Sequence, residues 1–143
     1  MKMKKKDVFI SIKGIQKMES DSDTTELFTK GTLYSKDNCT YISYEESEAT
    51  GFEGCRTTLK IDGTRKVVML RSGKSRAQLI MENGRRNIGY YGTPQGELAV
   101  GVSTTDISGG VGEHGGDLYC RYTLDINASL MSENELYMHI KEC

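Results

Sequence analysis

The chain has 143 residues, with 19 basic and 20 acidic side chains and a formal net charge of −1. That length fits one domain spanning 1–143, and no apolar run approaches the roughly 18 residues of a membrane-spanning helix. A pI near 6.1 argues against general nucleic-acid binding. Val, Ile and Thr number 6, 10 and 13 against 4 Ala; β-branched side chains fit a pleated surface better than a helix, so strands are expected.

Residues 1–6, Met-Lys-Met-Lys-Lys-Lys, read as a flexible basic tail. The residues after it alternate apolar and polar instead of forming the apolar core of an export signal. A cytoplasmic protein is therefore expected, with Cys39, Cys55, Cys120 and Cys143 reduced. Period-two alternation then continues almost to the end. Val8, Ile10 and Ile12 share a face of a first strand over roughly 7–19, where Gly14 invites a bulge. The acidic Asp21-Ser22-Asp23 run reads as a turn into a second strand, 24–36. Ile42, Tyr44 and Glu46 share a face of a third, Cys39 to Ser47. After a loop over Gly51–Gly54, Thr57, Leu59 and Ile61 alternate with Arg56, Thr58 and Lys60. Asp62-Gly63 and Asn83-Gly84 read as type I′ hairpin turns, and Thr93-Pro94-Gln95-Gly96 as a type I turn. Val67–Ser72, Arg76–Glu82 and Arg86–Gly92 are further strands. Leu98 to Thr104, Leu118 to Ile126 and Leu136 to Ile140 complete the set. Ser132 and Glu135 have capping-box spacing, but the alternation after them allows at most one helical turn.

About eight to ten strands in sequential hairpins, with no helix of convincing length, predict an all-β fold. Open edges invite aggregation, so the expected form is an antiparallel closed barrel of up-and-down topology, with a sandwich second.

Gly110-Val111-Gly112-Glu113-His114-Gly115 matches the dinucleotide fingerprint in letters. A strand follows it where the fingerprint needs a helix N-terminus, so it reads as a flexible glycine loop. The two His and four Cys lack metal-ligand spacing, and no cofactor, metal site or catalytic residue is assigned. More telling are polar residues in phase with apolar ones. Glu46 follows Tyr44, Arg71 follows Val67 and Met69, and Thr104 follows Val102. A buried charge needs a partner, which makes Glu46–Arg71 a natural pair. It is either a structural rim salt bridge or a pair that orients a ligand. Charge is also uneven: residues 56–86 carry a net of +7 and residues 97–143 a net of −6.

The segments Gly31–Lys36, Tyr41–Glu46, Thr57–Ile61, Leu70–Gly73, Tyr90–Gly96 and Gly116–Leu124, in that order and spacing, resemble the YwiB-like family of small bacterial proteins of unknown function. The resemblance implies a calycin-like, lipocalin-like barrel, and it implies no reaction. By analogy of fold it implies a cavity for a small apolar or amphipathic ligand. Three readings follow. The first is a non-enzymatic barrel binding a small molecule, with Tyr44, Glu46, Arg71, Thr104 and Tyr122 lining the site. The second is an interaction protein with a filled core that works through its charged exterior as a homodimer. The third, ranked last, is an enzyme using Glu46 as acid or base. The partners expected are a small-molecule ligand and a second copy of the chain, with no nucleic acid and no membrane.

Overall fold

Alternation of this kind leaves one apolar face per strand to be covered, and ten strands cover it by curling on themselves. The computed structural model describes residues 5–143, which form β1 (Lys6–Met18), β2 (Asp21–Lys36), β3 (Cys39–Glu45), β4 (Cys55–Asp62), β5 (Lys66–Gly73), β6 (Ala77–Glu82), β7 (Arg86–Thr93), β8 (Gly96–Gly112), β9 (Gly115–Ile126) and β10 (Ser129–Glu142). Each strand pairs antiparallel with the next, and β1 pairs with β10, so the sheet closes into a barrel. The expected up-and-down barrel is thus the one that forms. The interior holds Val8, Ile10, Leu33, Ile42, Leu59, Val67, Leu79, Val102, Leu118, Cys120, Met138 and Ile140, all buried. Burial pushes the Cys120 thiol up to about 12, as for a small core residue. Among the described residues no helix is long and apolar enough to cross a membrane.

The barrel has two unlike ends. At the terminal end, where β1 begins and β10 finishes, Lys6 Nζ meets Glu142 at 2.8 Å and the Glu113 carbonyl at 3.1 Å. His114 Nδ1 lies 3.0 Å from the same Glu142 carboxylate. Thr40 Oγ1 of β3 donates to the Val111 carbonyl of β8 at 3.1 Å, although these strands are not neighbours. The β8–β9 hairpin tip therefore lies across this mouth and stoppers it. Val111 packs against the core.

Several local expectations are corrected. The glycine run is not a loop: Gly110–Gly112 and Gly115–Gly116 are paired arms of that hairpin. Asp21-Ser22-Asp23 opens β2, because its residues pair with Gln16, Lys17 and Met18, and the turn is Glu19-Ser20. Gly14 pairs regularly with Leu136 and Thr25, while the register shifts fall at Thr104/Asp106 and Leu130/Ser132. Ser132 and Glu135 belong to β10 without a helical turn. Lys6 is already in β1; of the expected tail, residues 1–4 lie outside the described residues. The turns with positive φ at both central positions are Asp37-Asn38 and Asn127-Ala128, whereas Asp62 and Asn83 are not among the positive-φ residues.

Ala128, with φ +68°, sits where a Cβ crowds the following carbonyl at a cost of about 1 kcal/mol or more. Ala128→Gly is expected to stabilise the protein by about 1 kcal/mol. Urea denaturation should show a higher midpoint at unchanged slope.

Candidate functional site

The other end, which we call the far end, is built from a row of inward side chains. Tyr44, Thr57, Arg71, Ala77 and Tyr91 stand in register on five consecutive strands, β3 to β7. Directly opposed residues of antiparallel strands share a face, so alternation along each strand carries all five inward. Glu46 lies one residue past β3 and keeps the inward phase of Ile42 and Tyr44. Its N–H donates to the Cys55 carbonyl at 2.9 Å, and it is only 8% exposed. Gly31 faces this row from β2. A Cβ there would collide with the Ser43 carbonyl oxygen and lie 2.6 Å from Ile10 Cδ1, so only glycine lets β3 and Tyr44 come so close.

Glu46 and Arg71 do pair. Arg71 Nη2 donates to Glu46 Oε2 at 3.4 Å. The same oxygen accepts from Thr57 Oγ1 at 2.5 Å, and Oε1 accepts from Thr50 Oγ1 at 3.0 Å. Thr50 closes the 3₁₀ turn Glu48–Thr50 in the β3–β4 connection. From the same connection Phe52 lays its ring 3.6 Å from Arg71 Cζ. Burying two charges costs several kcal/mol each, and these hydroxyl donors and the ring face offset it.

Three tyrosines lie within electrostatic reach of the guanidinium. Burial raises the Tyr44 hydroxyl far above its ordinary range, with the Glu46 carboxylate adding to the rise and Arg71 opposing it. Burial raises Tyr122 and Tyr91 likewise, and Arg71 acts against both. All three stay neutral and able to donate. Thr104 is buried on β8 directly opposite Tyr122 of β9. Arg71 Nε and Thr104 Oγ1 are buried and find no hydrogen-bond partner among the described residues. Beside Tyr122 the far mouth opens into a recess of about 130 Å³, lined on the inner face by Gly14, Gln16, Asp23, Thr25, Asn134 and Leu136 and also by Ile15 and Glu135.

All five residues singled out from sequence thus lie on the inner face. Tyr44, Glu46, Arg71 and Tyr122 form one cluster, with Thr104 joined to it through Tyr122. Thr57, Tyr91, Thr50 and Phe52 were not singled out. Thr57 was visible through its alternation with Leu59 and Ile61 in β4, whereas Phe52 sits in a connection where no periodicity points inward.

Part of the charged exterior is paired within itself. Arg56 meets Glu45, Arg85 meets Glu82 and Arg65 meets Asp62, all within neighbouring strands or one turn. The bridge between the basic and acidic sectors is Arg86 with Asp125, at 2.7 and 3.0 Å. It crosses Gly101, where any Cβ would strike both side chains.

A family model described as a domain of unknown function, DUF1934, matches residues 10–138. The chain belongs to that family. Its uncharacterised β-barrel relative YwiB of Bacillus subtilis (strain 168) is 25% identical over 119 residues, covering 83% of this chain and 82% of YwiB. The crystal structure of ywiB protein from Bacillus subtilis superposes with a TM-score of 0.84 at 22% identity, over 99% of this chain and 95% of that one. The family has a β-barrel and no assigned activity, so the likeness carries over the fold and no site.

Removing one member of a buried pair strands the other. Arg71→Met is expected to cost about 3 kcal/mol. Glu46→Gln combined with Arg71→Met should cost less than the sum of the single changes by at least about 1 kcal/mol, as a denaturation double-mutant cycle would show. Arg86 beside Asp125 holds that carboxyl below its usual range. The resulting stabilisation is present above an unfolded-state pKa of about 3.9 and is lost as pH falls through the lower folded value. Arg86→Met should therefore flatten the loss of stability below about pH 4 in urea titrations, leaving the slope near neutrality unchanged.

Proposed function

We propose that the protein is a non-enzymatic binding barrel that takes a small amphipathic molecule at its far mouth. The observation that carries this reading is the pair of buried, unpartnered polar atoms, Arg71 Nε and Thr104 Oγ1, in a cluster that reaches the mouth through Tyr122. Leaving such groups unpaired costs about 1–3 kcal/mol each, a cost that a ligand's acceptor would recover.

The chemistry of the cluster selects the ligand. Arg71 is neutralised by Glu46 and the tyrosines are uncharged, so the site offers donors without net positive charge. A neutral head carrying a carbonyl or amide oxygen suits it better than an anion, which would be buried uncompensated. The recess of about 130 Å³ admits roughly the volume of four waters, well below the 300 Å³ or more of a drug-sized pocket. Only a compact head enters, while an apolar remainder rests against Leu136 and the inner face of β1 and β2. Arg71, Tyr44, Tyr122 and Thr104 make the contacts. Glu46, held by Arg71, Thr57 and Thr50, orients the guanidinium and has no free face for acid–base work.

Native mass spectrometry of protein isolated from its own cells tests the reading. The expected result is a small-molecule adduct that is retained in Tyr90→Phe, an exposed change, and lost in Arg71→Lys, which removes Nε. An adduct that survives Arg71→Lys, or the bare polypeptide mass from every preparation, overturns it.

A further inference from the structure

A second recess lies elsewhere, on the outer face of the long strands. It is a groove of about 700 Å³, within the range of small-molecule sites. Strand register explains its shape. Phe28, Ser11, His139, Asp117 and Gly110 stand in one outward line across β2, β1, β10, β9 and β8. Glu26, Lys13, Tyr137, Tyr119 and Ser108 form the adjacent line on the same strands. Phe28 rises on β2 and Tyr137 and Tyr119 on β10 and β9, while Ser11 lies low on β1 and β8 contributes Ser108 and Gly110. Phe28 is 72% exposed yet buttressed by Phe9, ring centroids 6.2 Å apart. Tyr137, 42% exposed, packs on Tyr119 at 4.8 Å and donates from its hydroxyl to Glu135 at 2.7 Å, so its ring is held in place. β2 and β10 flank β1, with Phe28 opposite Ser11 and Tyr137 opposite Lys13, so the two aromatic walls stand diagonally about 12 Å apart.

The polar groups along the groove stand in facing pairs. His139 Nδ1 lies 2.6 Å from Asp117 Oδ1, and Lys13 stands opposite Glu26. The groove therefore combines exposed, braced aromatic faces, little net charge and a line of carboxylate, imidazole, ammonium and hydroxyl groups along its length. A cation or anion gains little here. A ring with one C–H face and a rim of hydroxyls matches both features, because the electron-rich aromatic face attracts polarised C–H groups while the rim hydroxyls bond to Asp117, Glu26 and Lys13. We infer that this outer groove is a second binding site, distinct from the far mouth, and that it takes a neutral oligosaccharide of pyranose units lying across the strands.

Titration of the full chain with neutral hexasaccharides (cello-, malto- and chito-hexaose) and with the parent monosaccharides, followed by backbone amide NMR, tests it. The expected result is saturable shifts confined to the outward residues of β1, β2, β9 and β10, stronger for one hexasaccharide than for its monosaccharide. Phe28→Ala and Tyr137→Ala, both exposed and so compatible with folding, should each weaken binding about tenfold. Tyr122→Phe, at the far mouth, should leave it unchanged, which separates this site from that one. Three outcomes overturn the inference. One is no saturable shift at about 20 mM sugar, a concentration that detects even very weak binding. Another is shifts that map outside the groove. The third is an aromatic patch whose substitutions abolish self-association in sedimentation velocity while sugars fail to bind, which would make it a protein interface.

Discussion

A buried ion pair governs the far half of the barrel. Ten strands enclose a fixed inner surface, and apolar side chains fill it from the terminal end to the level of Ile42, Leu59, Met69 and Leu79. One layer further, the sequence supplies Tyr44, Thr57, Arg71 and Tyr91, and the packing has to satisfy them. Two charges in this position bring no large gain in stability, because the desolvation cost rivals their attraction. They do impose geometry. Glu46 must sit where Arg71, Thr57 and Thr50 all reach it, and that requirement folds the β3–β4 connection inward and sets Phe52 over the guanidinium. The connection also packs against β2, whose residues 21–30 pair with β1 and lack a partner on the β3 side among the described residues. One polar cluster thus determines both the inner lining and the cover of an edge that would otherwise invite pairing with another chain.

The two ends follow different solutions to the same problem. At the terminal end, β8 and β9 run long enough for their shared tip to fold across the opening, where Val111 fills it and Thr40, Lys6 and Glu142 tie it down. At the far end the long hairpins β1–β2 and β9–β10 extend past the short strands β3–β7. Their inner faces there carry Gly14, Gln16, Thr25 and Asn134 instead of large apolar groups, so the opening persists. A barrel stoppered at one end and recessed at the other has a single direction of access.

Much of this was legible beforehand because inward and outward positions in a strand differ by one residue. The alternation of Ile42, Tyr44 and Glu46 placed a carboxylate inside even though the strand ladder ends at Glu45. Arg71 was harder, since Val67-Val68-Met69-Leu70 is apolar on both faces; pairing with Thr57 and Ala77 decides its phase. What alternation does not encode is where a strand stops. Acidic residues beyond the barrel's end can continue a ladder, as Asp21-Ser22-Asp23 do, because a solvated two-sided ribbon needs no apolar face. Glycine was misleading for a related reason. Gly14 and the Gly109–Gly116 run looked like breaks, yet they sit in ladders where close backbone approach or a bend suffices. The outer groove was invisible, since it depends on side chains from five strands falling into line across the sheet.

The same logic revises the meaning of the charge asymmetry. A sector of +7 beside one of −6 along the chain reads as a surface waiting for a charged partner. In three dimensions Arg56, Arg65, Arg85 and Arg86 each have a carboxylate at hand, and Lys60 lies over the Tyr41 ring. Exposed pairs of this kind add little stability, and since Asp62 and Glu82 are already counted in the +7, pairing with Glu45, Glu46 and Asp125 lowers the charge of the sector without removing it. The outer face of the long strands is distinguished by shape. A groove on it is walled by aromatic rings and lined by hydrogen-bonding groups of both signs. On the proposed reading, ligands in this groove are discriminated by ring geometry and by the placement of donors and acceptors, and binding there should depend only weakly on salt.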